Sequence, residues 1–206
     1  MTSPSTSNGK PKWLLLDVGG VIIDTPNDFY SFAKKLNCDH KILEKVFSKY
    51  RNTYDTGASA KWFWNSISQE LTGDNLSAST IEELISIEQK RWTKPNQNVV
   101  EEINHLSNQG YDLAILSNAS HELAEVLNTV ECAKPFKHIM ISSTLHLIKP
   151  NPNIWPIVLR KLKTNPENIL FIDDSQNNVD SGNSYGLTAK LWQQPTSITT
   201  LLNQHY

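Results

Sequence analysis

The 206-residue sequence has little of what would mark several large protein classes. It holds only two cysteines, Cys38 and Cys132, far apart in the chain. Two such thiols build neither a disulfide framework nor a cysteine zinc site, and their scarcity fits a cytoplasmic protein kept reduced. No charge of one sign dominates: 19 Lys and Arg stand against 21 Asp and Glu, a net charge of -2. A chain so balanced sets up no field to gather a polyanion, so nucleic acid is not an expected partner. No apolar run approaches the ~20 residues that cross a bilayer, so no membrane partner is expected either. The stretch from Met1 to Lys12 has no apolar segment and no arginine, which argues against a secretory or transit signal. Residues 1–11 read as a loose tail. The six histidines show no pairing at metal-ligand spacing.

What is present is one format used three times. Trp13-Leu14-Leu15-Leu16 ends in Asp17, Leu113-Ala114-Ile115-Leu116 ends in Ser117-Asn118, and Ile169-Leu170-Phe171-Ile172 ends in Asp173-Asp174. Short continuous apolar runs suit strands buried on both faces, hence a parallel sheet. His138–Ile141 and Thr188–Leu191 are weaker strand candidates. Helical periodicity lies between the runs, over Val99–Gln109, His121–Val130 and Asn153–Leu162, the last starting so that Pro156 falls in its first turn. This alternation predicts an α/β doubly wound parallel sheet.

Residues 25–94 read differently, with helical faces and no strand. Ile42, Leu43, Val46 and Phe47 share one face, and Trp62, Phe63, Ile67 and Leu71 another. A capping box at Ser79 to Glu82 precedes Leu84, Ile85 and Ile87. Ten of the eighteen aromatics fall between Phe29 and Trp92, so a small helical unit with its own core is inserted after the first strand. Residues 93–96 form the return linker. The core is therefore expected from 12–24 and 95–206, with the helical insert at 25–94.

In an open parallel sheet, ligands sit beyond the carboxyl ends of the strands. Asp17, Ser117, Asp173 and Asp174 all occupy that edge. Converging carboxylates repel: at an effective dielectric near 20, a unit pair 4 Å apart costs roughly 4 kcal/mol. Protons or a cation must relieve this. Oxygen donors with few histidines point to Mg²⁺ rather than zinc. Mg²⁺ on a few carboxylates with open positions serves a phosphate. An Asp can then act as nucleophile, with the Ser117 hydroxyl and Lys149 ammonium holding phosphoryl oxygens.

The ordered set Asp17-Val18-Gly19-Gly20-Val21, Ser117-Asn118, Lys149-Pro150 and Asp173-Asp174-Ser175 with Asn178-Val179 resembles the haloacid dehalogenase (HAD) superfamily. The match follows its capped phosphatase-like branch and runs from Trp13 to Leu191. The resemblance implies a Rossmann-like core with an inserted α-helical cap. It implies Asp17 as nucleophile, Ser117 and Asn118 at the substrate phosphate, and Lys149 steadying both nucleophile and phosphate. Asp17, Asp173, Asp174 and the Gly19 carbonyl would be the metal ligands. The implied activity is Mg²⁺-dependent removal of phosphate from a small phosphorylated metabolite, sugar phosphate-like, by a monomer or weak homodimer. One position departs from the pattern. Most family phosphatases carry a second Asp two residues after the nucleophile, as general acid and base, and here that residue is Gly19. Such help is worth ~10²–10⁴-fold in rate. The departure favours substrates whose leaving group needs little protonation, such as anomeric sugar phosphates or acyl phosphates. It also leaves two alternatives: a 2-haloacid dehalogenase-type hydrolase, which needs no metal, and a catalytically weak regulatory member of the fold. Asp24, seven residues past Asp17, reads as a hinge or capping residue rather than a replacement acid.

Overall fold

The computed structural model describes residues 11–24 and 29–204. Thus residues 1–10 of the expected tail, and the first four residues of the expected insert, lie outside the described residues. Pro11 is buried, and the Lys12 amide donates to the Asn168 carbonyl at 3.0 Å, so the described chain is anchored from its first residues.

Five strands, β1 (Trp13–Leu16), β2 (Asp112–Ser117), β3 (His138–Ile141), β4 (Ile169–Asp173) and β5 (Thr188–Leu191), pair in parallel in the order β3-β2-β1-β4-β5. All five expected runs are strands. The helices in chain order are α1 (Tyr30–Leu36), α2 (His40–Asp55), α3 (Ala60–Thr72), α4 (Ala78–Trp92), α5 (Gln97–Asn108), α6 (His121–Leu127), α7 (Ser142–Leu145), α8 (Ile154–Leu162), α9 (Gln176–Ser184) and α10 (Ile198–Asn203).

Alternation of side chains along each strand builds two cores, one on each sheet face. Leu14, Leu16, Leu113, Ile115, Leu170 and Ile172 pack with residues of α5, α6 and α10. Trp13, Leu15, Ala114, Leu116, Ile169 and Phe171 pack with residues of α8 and α9 on the other. Burial on both faces is why these strands read as unbroken apolar runs.

The helices α1–α4 enclose a third core of Phe32, Leu43, Phe47, Tyr54, Phe63, Trp64, Ile67 and Leu84. Ser59 caps α3 by accepting from the Trp62 amide, and Asp39 caps α2 by accepting from Lys41 and Ile42. The α4 cap is Ser77, which accepts from Thr80, rather than the expected box starting at Ser79. The serine-rich run Ser77-Ala78-Ser79-Thr80 offers two registers, and the earlier one lengthens α4 by two residues, about half a turn. Ile42 is exposed, since it lies one step round from the Leu43–Val46–Phe47 stripe. The two chain passages joining insert and core run side by side: the Asn96 amide donates to the Ile22 carbonyl at 2.9 Å, and Ile23 bridges Pro95. The helix α6 stops at Leu127, short of the expected Val130, which lies instead beyond the Asn128 cap and packs against the sheet core.

Candidate active site

Chain order around β1 places the chemistry. The chain runs from β1 out through β2 and β3 on one side, then crosses back to β4 and β5 on the other, and this reversal opens a crevice at the carboxyl ends of the strands beside β1. Asp17 follows β1, Ser117 closes β2 and Asp173 closes β4. The Asp17 amide continues the ladder to the Ile172 carbonyl at 2.9 Å, which sets its side chain beside Asp173.

Lys149 lies at the centre. Its Nζ is 2.9 Å from Asp17 Oδ1, 2.6 Å from Asp173 Oδ2, and donates to the Leu116 carbonyl at 2.7 Å. It is almost wholly buried, so its three protons have three protein acceptors. Burial alone would lower its pKa, but the two carboxylates outweigh that and hold it above the ordinary lysine value. Burial pushes the Asp17 carboxyl up to about 7, with Lys149 pulling it down and Asp173 pushing it further up. Burial, then Asp173, also raises Asp174.

The two acids of β4 are not equivalent. Asp173 is fully buried, and its Oδ1 accepts from the Ser175 amide and from Asn178 Nδ2, both at 2.9 Å. Asp174 is exposed and lies over Gly20. A Cβ at residue 20 would stand 2.1 Å from Asp174 Oδ2, and Gly20 has φ of +76°, so both space and backbone demand glycine there. One carboxylate oxygen from each of Asp17, Asp173 and Asp174 lies within 4.8 Å of the others. An all-oxygen set of this charge fits a hard divalent cation such as Mg²⁺. Ser117 is buried at the end of β2.

Asn118 differs from its expected role. Its amide group bridges the backbone of Lys149, donating to the carbonyl and accepting from the amide, both at 2.8 Å. Its side chain positions Lys149, which leaves only its backbone to face a substrate. Asp24 is exposed and accepts from Gln194 at 2.8 Å and from Asn96 at 3.3 Å, where insert and core join. That agrees with a hinge residue.

The insert meets this edge through polar contacts. Tyr54 is buried and donates to Glu122 of α6 at 3.0 Å, and Gln89 donates to the Glu122 carbonyl. Arg51 is held between Asp55 and Glu88, so it is committed to the insert rather than to the crevice. Trp64 belongs to the insert core, whereas Trp62 is 40% exposed and stands edge-on to Tyr50. Tyr50 and Trp62 line a groove of about 710 Å³ with Lys61, and none of Asp17, Asp173 and Asp174 lines it. The sequence reading missed the demand at Gly20, although a Gly-Gly pair directly after a strand-ending Asp was its available signal.

Comparison with known proteins adds the following. A family model described as haloacid dehalogenase-like hydrolase matches residues 14–190. Phosphoglycolate phosphatase 1 of Pseudomonas aeruginosa is 20% identical over 184 residues, covering 86% of this chain and 67% of that protein. Phosphoglycolate phosphatase of Mannheimia succiniciproducens is 31% identical over 93 residues, covering 45% of this chain and 42% of that protein. Among solved structures, a HAD family enzyme of Bacteroides thetaiotaomicron, in complex with magnesium and inorganic phosphate, superposes with a TM-score of 0.71 at 19% identity. It covers 93% of this chain and 98% of its own. The L-2-haloacid dehalogenase of Xanthobacter autotrophicus gives a TM-score of 0.67 at 14% identity, covering 89% and 79%.

Proposed function

This chain belongs to the haloacid dehalogenase-like hydrolases, and on that footing we propose that it is a Mg²⁺-dependent phosphatase of small phosphorylated metabolites. The observation that carries the reading is the undivided acidic set. Asp17, Asp173 and Asp174 converge beside one buried lysine, and Asp174 has a glycine cradle beneath it. A dehalogenase that works without metal has no use for that convergence. The phosphatase relatives and the magnesium-and-phosphate complex of a similar fold agree with it.

In this reading Asp17 attacks phosphorus in line. The P–O bond to the leaving group breaks as the Asp17–phosphorus bond forms, giving an aspartyl phosphate. Lys149 steadies the ionised Asp17 and the transferring oxygens, and the Ser117 hydroxyl donates to the phosphoryl group. Asp173 holds Lys149 in place, and Asn118 fixes the backbone that carries it. Bound by Asp17, Asp173, Asp174 and the Gly19 carbonyl, Mg²⁺ would supply positive charge to the phosphoryl oxygens and favour the ionised form of Asp17. Water then cleaves the acyl phosphate, regenerating Asp17 and releasing phosphate. The helical insert acts as a cap that excludes bulk water from the crevice.

Gly19 supplies no acid for the leaving group. The substrates favoured are those whose leaving group departs without full protonation, anomeric sugar phosphates and acyl phosphates. The test is phosphate release over sugar phosphates, nucleotides and acyl phosphates, with Mg²⁺ and with chelator. Anomeric and acyl phosphates should lead, chelator should abolish release, and Asp17→Asn should remove turnover while keeping the fold. Chloride released from 2-haloacids in chelator would assign the dehalogenase reaction instead.

A further inference from the structure

The seam between cap and core contains an arrangement that the chemistry above does not use. The last four carbonyls of an α-helix lack partners within the helix. At the end of α2, two successive ones, from Asp55 and the cap residue Thr56, point at the core. Ser142 Oγ donates to the Asp55 carbonyl at 2.6 Å, and the imidazole Nδ1 of His146 lies 3.1 Å from the Thr56 carbonyl. A carbonyl only accepts, so Nδ1 carries the proton. The last turn of α2 has no basic residue of its own.

Both core donors come from one short stretch, Ser142 to His146, at the carboxyl end of β3. Ser142 is fully buried and also accepts from the Ala119 amide at 2.9 Å, in the loop that carries Ser117 and Asn118. Three residues past His146 is Lys149. The donors therefore join the end of a cap helix to the β2 and β3 side of the crevice, in the segment that leads on to Lys149.

His146 adopts a conformation that a side chain disfavours. Its φ is 55°, in the left-handed region, and it ends α7. Facing it, Gly57 has φ of +113°, and a Cβ there would stand 3.0 Å from the Ser143 carbonyl and 3.1 Å from His146 Nδ1. A glycine at 146 would suit the turn better, while a glycine at 57 is what lets the two backbones meet. An imidazole at a strained backbone position, facing a glycine whose missing side chain leaves room for it, points to a contact that matters more than the turn itself.

We propose that His146 is a positioning residue for hydrolysis: with Ser142 it caps the C-terminus of cap helix α2 from the core, and so holds residues 56–59 against the segment that carries Lys149. The proposal rests on the phosphatase reading for its kinetic consequence but not for its structural one. When the cap lifts, the Thr56 carbonyl exchanges His146 for water. Loss of the donor shifts the cap toward the lifted state and lowers apparent substrate affinity by the lost docked fraction. A net hydrogen bond of the usual strength corresponds to about fivefold, or roughly 1 kcal/mol.

The test uses three full-length chains: native, His146→Gly and His146→Asn. Glycine relieves the turn and removes the donor. Asparagine tolerates the left-handed conformation and places its Nδ2 near the position of Nδ1. Amide exchange over residues 56–59, read relative to β4 in the same sample, should be about fivefold faster in the glycine variant and close to native in the asparagine variant. With p-nitrophenyl phosphate and Mg²⁺, KM should rise in the glycine variant alone, by the fall in docked fraction and so by at most the same factor, with kcat within about twofold. Unchanged loop exchange in His146→Gly, or exchange in His146→Asn as fast as in His146→Gly, overturns the proposal. A fall in kcat with KM unchanged also overturns it. Absence of turnover in every chain, native included, counts against the phosphatase reading, and the exchange ratio then decides the capping role alone.

Discussion

Asp17, Lys149 and Asp173 form a buried chain of alternating charge, and the lysine cannot neutralise both acids fully. Burial raises Asp17 to about 7, so near neutrality this carboxyl still holds a share of its protons. A raised carboxylate disfavours the fold as it ionises: the native state is relatively more stable below the ordinary value of 3.8 and loses that advantage as pH climbs through about 7. Mg²⁺ binds the ionised form, so proton and metal compete at one residue. Thermal melts with and without Mg²⁺ should therefore show a small metal effect near pH 5.5 that grows through pH 7. At a hundredfold excess over Kd the gain is about 2.7 kcal/mol, a rise of roughly 5–10 °C. Asp17→Asn should flatten the pH dependence of that rise. A native chain whose metal effect is independent of pH would contradict the assignment of Asp17 as a ligand. The convergence of Asp17, Asp173 and Asp174 was legible from their places at strand ends, because a parallel sheet brings those ends together. The work of Asn118 was not legible, since its bonds to Lys149 join residues thirty-one apart.

At the scale of elements, the helices that the sequence shows and those that it conceals differ in what holds them. The helix α5 has an Asn96 cap and a stripe of Val99, Ile103 and Leu106, so local signals suffice. The helix α9 reads Gln-Asn-Asn-Val-Asp-Ser-Gly-Asn-Ser, a run of poor helix formers. Tertiary contact overrides propensity there. Asn178 is tied to Asp173, and Gly182 lets the helix lie close on the sheet, where an added Cβ would stand 3.1 Å from Ala189 Cβ and 3.2 Å from a Phe171 ring carbon. Gly182→Leu should destabilise the protein by about 1–3 kcal/mol through overpacking, despite its better helix propensity, as read by urea denaturation. A stabilised variant would show that α9 has room which the packing denies. The same packing orients Asn178, so Mg²⁺ affinity should weaken along with stability.

At the scale of the whole molecule, the described residues form three separate apolar cores, two against the sheet and one inside the helical insert. The acidic cluster lies entirely on the sheet core, while in the proposed mechanism water exclusion depends on the insert. Damage to the insert core should therefore spare metal binding. Trp64 is fully buried among Phe32, Phe47 and Phe63, and Trp64→Ala should cost about 3–5 kcal/mol. Amide exchange should quicken across α1–α4 well before β1 or β4, with the Mg²⁺ midpoint unchanged and turnover reduced. Equal loss of protection in insert and strands would mean that the two fold as one unit. Among the described residues no helix is long and apolar enough to cross a membrane.

By itself the sequence determined the sheet, its doubly wound class, the helical insert and the acidic residues at the strand ends. Each of those follows from short-range patterns: unbroken apolar runs, a change of periodicity, a polar residue where a run stops. Only the tertiary structure decided which groups meet across long stretches of chain. It placed Lys149 between two acids, set Asp174 over Gly20, turned Asn118 inward and brought His146 to the end of a distant helix. Those pairings depend on a backbone position and a side-chain direction specified by the packing of several elements at once, and no local spacing encodes them.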